Sequence, residues 1–117
     1  MILSKADVVL TQFPFTDLSQ VKLRPSVVLQ SDVIKNEVTI CFISSQNVDN
    51  LTLGEFAIKD SDAEFAGTGL RVSSKVRVSR IVTLKHELIV RRLGKLGTQQ
   101  IQTLNAAIIQ AFQLSDT

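Results

Sequence analysis

The sequence predicts a small, mostly β barrel with one C-terminal helix packed against it. Three observations carry that prediction. Short β-branched or aromatic runs recur through most of the chain, bounded by turn residues. The closing segment changes its apolar period from two to 3.6. A length of 117 residues with 44% hydrophobic content suits one domain, residues 1–117, around a core of its own.

The first strand is expected at Asp7–Phe13 (DVVLTQF). Pro14–Pro25 follows, largely polar and longer than a hairpin turn, the kind of loop that carries function on a rigid barrel. Ser26–Gln30 (SVVLQ) and Val38–Ile43 (VTICFI) are the next strands. Glu55–Ile58 (EFAI) is a weaker one inside an acidic loop, residues 47–70, which holds Asp49, Glu55, Asp60, Asp62 and Glu64 along with Gly67 and Gly69. Ser74–Leu84 alternates well, and Glu87–Leu93 (ELIVRRL) closes the series. Beyond Gly97 a helix is expected with Thr98 as its N-cap. Ile101, Leu104, Ile108 and Ala111 give it one apolar face, and no charged residue occurs from Thr98 to Leu114. Such a helix packs on the barrel, with room for partial cover by a second subunit.

Net charge is only +2, but it is unevenly spread. Residues 1–70 hold five Lys/Arg against nine Asp/Glu, whereas residues 71–97 hold eight (Arg71, Lys75, Arg77, Arg80, Lys85, Arg91, Arg92, Lys95) against Glu87 alone. A local excess of this kind attracts a polyanion. With no Trp or Tyr, nucleic acid would be held by charge and hydrogen bonds rather than on an aromatic platform. The start, MILSKADVVL, lacks the apolar stretch of a secretory signal, and no segment reaches the roughly 20 apolar residues of a membrane span. The only cysteine, Cys41, lies in an apolar run, which fits packing in a reducing compartment. A cytoplasmic protein is expected. There is no Gly-rich phosphate loop, no CxxC and no metal-spaced cluster, so neither metal nor cofactor is expected. His86, the only histidine, stands beside Lys85 and Glu87 and reads as a solvated surface residue.

A series of smaller signals remains. Phe13-Pro14-Phe15-Thr16-Asp17 ends the first strand, and Arg24-Pro25 leads into SVVLQS. Ile43-Ser44-Ser45-Gln46 ends the third; Thr68-Gly69-Leu70 precedes Val76-Arg77-Val78-Ser79, and Ile81-Val82-Thr83-Leu84 follows. In this order and spacing, from about Ala6 to Gly97, the sequence resembles the MazF/PemK (Kid-like) toxins of type II toxin–antitoxin systems. The likeness is strongest to PemK-like members that begin GDVVLVPFPFTDL…RPALVL. The resemblance implies an SH3-like barrel and a homodimer. It also implies an endoribonuclease that cleaves single-stranded RNA (mRNA) sequence-selectively, without a metal, to inhibit growth. The implied protein partner is a cognate antitoxin whose tail lies across the active groove.

The resemblance assigns catalytic roles to Arg24, Ser44 and Arg77. A planar guanidinium can hydrogen-bond two oxygens of the charged phosphorane at once, which suits both arginines. Ser44 stands where the family usually has threonine and keeps the hydroxyl. Asp17, Lys22, Ser45, Gln46, Ser79 and Arg80 are candidate RNA contacts. Ser79 is expected on the same strand face as Arg77, two residues on. Three positions depart from the pattern. Ser79 and Ser19 replace acidic residues, and Ala6 replaces the glycine before Asp7. The missing carboxylates leave the general base open. They also leave open two other readings: a module that binds RNA or antitoxin without cutting, and a same-fold inhibitor of a protein target such as DNA gyrase. RNA specificity would lie in the loops Pro14–Arg24 and Asn47–Gly69.

Overall fold

Among the described residues, six strands and one helix form from the expected segments. The structure, a computed structural model, describes residues 1–13 and 22–114. The strands are β1 Asp7–Phe13, β2 Lys22–Asp32, β3 Glu37–Ser44, β4 Glu55–Ile58, β5 Ser74–Lys85 and β6 Ile89–Lys95, followed by helix α1, Thr98–Ala111. All pairings are antiparallel, in the order β4-β5-β3-β2-β1-β6.

That order forces the sheet to curl. β5 and β6 are four strand spacings apart, about 19 Å across a flat sheet. Yet a single 3-10 turn, His86–Leu88, joins them, and the chain from Lys85 to Ile89 reaches at most about 14 Å. The sheet therefore bends round on itself, giving two cores. Inside the curl lie Val9, Val28, Val38, Ile40, Leu84 and Ile89. On the other face Val8, Val27, Cys41, Val76 and Leu96 pack under α1 through Leu104, which is fully buried. Burial on both faces explains why β1, β2 and β3 carry continuous apolar runs rather than strict alternation.

Several boundaries differ from expectation. β2 starts at Lys22, so Arg24 and Pro25 are strand residues, paired with Thr11 and Leu10, not the end of a loop. β6 starts at Ile89 because His86–Leu88 is spent on the turn. The residue flanking α1 is Gly97, and Thr98 is already helical. Its free N–H groups are met from elsewhere: Glu64 accepts from Gln99 N at 3.2 Å and Gln100 N at 3.0 Å, while Gln100 Oε1 accepts from Gly97 N at 2.8 Å. Within residues 47–70 the chain also forms a 3-10 turn, Ala66–Thr68. Ala6 is buried with φ of 78°, a left-handed conformation that explains the family's preference for glycine there.

Candidate nucleic-acid interface

Pairing between β2 and β3 stops at Ser26–Phe42. Ala6 N donates to Val28 O at 2.8 Å, so even-numbered residues of β2 turn their backbone groups toward β1 and odd-numbered ones toward β3. Pro25 therefore faces β3 with no N–H to give, and the ladder ends beside it. From that point the strands part, and a groove opens on each face of the sheet.

The smaller groove, about 320 Å³, is lined by Phe13, Lys22, Arg24, Phe42, Ile43, Ser44, Arg77 and Arg80. Register explains the grouping. Phe13 pairs with Lys22, Thr11 with Arg24, and Phe42 with Arg77, and partners across an antiparallel ladder share a face. Phe13 and Phe42 meet edge to face, ring centroids 4.6 Å apart. The zero count of Trp and Tyr concealed this aromatic wall, which two ordinary strand phenylalanines build. The larger groove, about 780 Å³, lies on the other face under Leu10, Leu23, Pro25, Leu70 and Leu93, with Arg71, Arg91, Ser45 and Gln46 on its rim. Lys22, Arg24, Ile43 and Ser44 line both, and among the described residues neither lining includes an acidic side chain. Thr68-Gly69-Leu70 shapes the second groove by close backbone approach. A Cβ on Gly69 would sit 2.1 Å from Leu93 O. Thr68 Oγ1 donates to Phe65 O at 2.7 Å and accepts from Leu70 N at 3.2 Å.

Arg77 is anchored. Glu55 lies directly opposite it on β4 and accepts from Arg77 Nε at 3.0 Å and, through its other oxygen, from Lys75 Nζ at 2.9 Å. Thr52 N donates to the same carboxylate at 2.9 Å. The Glu55 side chain is 3% exposed. Burial alone would raise its pKa, but the hydrogen bonds from Thr52, Lys75 and Arg77 outweigh burial and hold it at about 2. Sequence reading counted Glu55 only as loop acidity. Its partners lie 20 and 22 residues away, and only the β4–β5 register brings them together.

Ser44 Oγ accepts from Gln46 N at 3.1 Å, which shapes the turn after β3 and leaves the hydroxyl proton free to donate. Ser45 and Gln46 are exposed beside it. Ser79 is not beside Arg77. Phe42 pairs with Arg77 but its neighbour Cys41 pairs with Ile81, so Val78, Ser79 and Arg80 bulge out of the β3 ladder. The bulge breaks the two-residue alternation and puts Arg80 at the groove. Ser79 is exposed beside Gly54, where a Cβ would meet Ser79 Oγ at 3.4 Å and Ala111 Cβ of the helix at 3.3 Å, and it does not line the groove. Asp17 lies outside the described residues. His86 Nε2 lies 3.0 Å from Met1 O in the β5–β6 turn and lines neither groove.

The basic segment divides by partner. Lys75 and Arg77 share Glu55, and Arg92 pairs with the buried Asp7 at 3.0 Å. The groove's positive field thus comes from Lys22, Arg24, Arg71, Arg80 and Arg91, with the open end of Arg77. Among the described residues no three His, Cys, Asp or Glu side chains gather as a metal site.

Residues 4–112 match the family model of the PemK-like, MazF-like toxins of type II toxin–antitoxin systems. The fold is similar to a mycobacterial endoribonuclease solved with its cognate antitoxin (TM-score 0.74, 14% identity, covering 99% of this chain and 100% of that one). It is also similar to the Mycobacterium tuberculosis toxin MazF-mt6 (TM-score 0.72, 23% identity, 93% and 98% covered). A further M. tuberculosis toxin shares 25% identity at a TM-score of 0.62, with 76% and 92% covered. No curated protein matches the chain in sequence.

Proposed function

We propose, because the chain belongs to the PemK-like, MazF-like toxins of type II toxin–antitoxin systems, that it cleaves single-stranded RNA in the groove where β2 and β3 part. One observation carries the reading. Lys22 and Arg24 from β2, Ser44 from β3, and Arg77 and Arg80 from β5 converge on one groove, with no carboxylate among the described residues that line it. A 2′-oxygen attacks the adjacent phosphorus, the P–O5′ bond breaks, and the proton lost at the 2′-hydroxyl is balanced by the one gained at the 5′-oxygen. The products are a 2′,3′-cyclic phosphate and a 5′-hydroxyl. Arg24 and Arg77 offset the charge of the phosphorane, and Ser44 donates to one of its oxygens. Lys22, Arg80, Ser45 and Gln46 hold the flanking backbone. No metal takes part. The endoribonuclease of similar fold was solved with its cognate antitoxin, which supports an antitoxin as this chain's protein partner, and the cations lining the groove suit an acidic segment of it. A homodimer is part of the same reading, with Leu53, Ile109, Phe112 and Leu114 exposed near the end of α1.

A second reading has its own support. Among the described residues the only carboxylate bonded to a groove side chain is Glu55, which lies behind Arg77 and is already hydrogen-bonded three ways, and this favours a module that binds RNA without cutting it. Arg24→Lys separates the two. It keeps the charge but loses the two-pronged hydrogen bond. Cleavage should fall on the order of 10²–10³-fold, while RNA affinity changes little, since one phosphate contact among several is lost. If the rate is unchanged, Arg24 is not catalytic, and the binding reading takes precedence.

A further inference from the structure

We propose that Glu55 is a positioning residue, which aims the guanidinium of Arg77 at the substrate phosphate; this rests on the RNA-cleaving reading above. Glu55 holds Arg77 through Nε alone, at 3.0 Å. Its other oxygen is engaged by Lys75 and Thr52. Both Nη groups of Arg77, the fork that matches two phosphate oxygens, are therefore left clear of the ion pair. Burial is graded along the network: side-chain exposure is 3% at Glu55, 9% at Lys75 and 35% at Arg77. The anchor is sealed, and only its far end reaches the groove with Arg24, Ser44 and Arg80. The arrangement answers a physical problem. Four cations round a small groove repel one another before substrate arrives, and an untethered arginine would swing out to water. A buried carboxylate on the far side of Arg77 holds it in place. Lys75 balances that carboxylate, so the network as a whole remains positive. Because three donors already occupy it, Glu55 does not serve as a general base.

The test uses the full chain. Replacing a buried ion pair with apolar residues of similar volume often preserves folding, so Glu55→Leu/Lys75→Met is the main variant. Glu55→Gln/Lys75→Met restores a neutral acceptor for Arg77 Nε, and Lys75→Met alone leaves Glu55 on Arg77. Circular dichroism and thermal melts establish the folded fraction. Single-turnover cleavage of mixed-sequence RNA per folded molecule should fall by about 10²-fold in the leucine variant. It should recover partly with glutamine and stay near wild type in Lys75→Met. Affinity for 2′-O-methyl RNA should hold, because the double change removes one charge of each sign and leaves the groove cations in place. In an Arg77→Ala background the leucine change should cost nothing more, since both act through one group. Unchanged cleavage, or losses that multiply with Arg77→Ala, would overturn the proposal. If wild-type protein leaves RNA intact, the cleavage reading falls separately. Positioning is then judged by the Arg77 Nε–H resonance in ¹⁵N spectra. It should be protected in wild type and lost in the leucine variant; no protection in wild type overturns it.

Discussion

Glu55 and Cys41 show how differently burial acts on two ionisable groups. Glu55 is buried among donors, and its folded pKa of about 2 lies below the ordinary 4.5. The depressed value means the folded state binds its proton less readily than the unfolded chain. Its contribution to stability is therefore complete above about pH 4.5 and disappears as pH falls toward 2. Urea midpoints measured across that window should drop steeply in wild type and more gently in Glu55→Gln/Lys75→Met. Cys41 is buried among apolar side chains, and burial pushes its thiol up to about 12. Native protein should resist alkylation at pH 8 and react fully once unfolded; fast reaction in the native state would mean the strand opens readily. The sequence marked Arg24, Ser44 and Arg77 because each stands in a short local motif. It did not mark Glu55, whose meaning depends on a strand register, and it misplaced Ser79 because the bulge after Arg77 cancels the alternation that related them.

At the scale of elements, Pro25 ends a ladder and so creates the site, and Glu64 caps a helix from 35 residues away. Removing that carboxylate with Glu64→Ala unsatisfies the first turn of α1 and should cost about 1 kcal/mol. A chain of this size should then melt about 4 °C lower. A scanning calorimetry trace identical to wild type would show that water replaces the cap. Strands β1, β2 and β3 were legible because both faces are buried, which leaves apolar runs between turn residues, and β5 was legible by its alternation. Their ends were less so. β2 extends back to Lys22 through pairing with β1, a long-range gain that its local sequence does not announce. The helix start was misread by one residue for a similar reason: Thr98 is a good capping residue, but Glu64 makes a threonine cap unnecessary.

At the scale of the molecule, the curl of the sheet sets two grooves on either side of one splayed strand pair, and charge decides what they attract. The count of basic residues pointed to residues 71–97, and the structure redistributes that charge. Lys75 and Arg92 are internally paired, whereas Lys22 and Arg24, from outside the segment, join the grooves. No helix among the described residues is long and apolar enough to cross a membrane. The proposed homodimer should scatter light as twice 12.9 kDa, and a single-chain mass would remove the second subunit from the account. The proposed shared groove is tested by competition. Saturating acidic antitoxin peptide should displace 2′-O-methyl RNA, and a ternary complex would refute it.

The central claim is that this toxin cuts RNA with arginines and a hydroxyl alone. It is tested most directly by incubating purified protein with mixed-sequence RNA in excess EDTA and mapping the new ends. Cleavage is expected at a restricted set of sequences, leaving 2′,3′-cyclic phosphate and 5′-hydroxyl termini, at a rate that added magnesium does not change. RNA that stays intact in chelator and is cut only when magnesium returns, or ends that carry a 5′-phosphate, would contradict it.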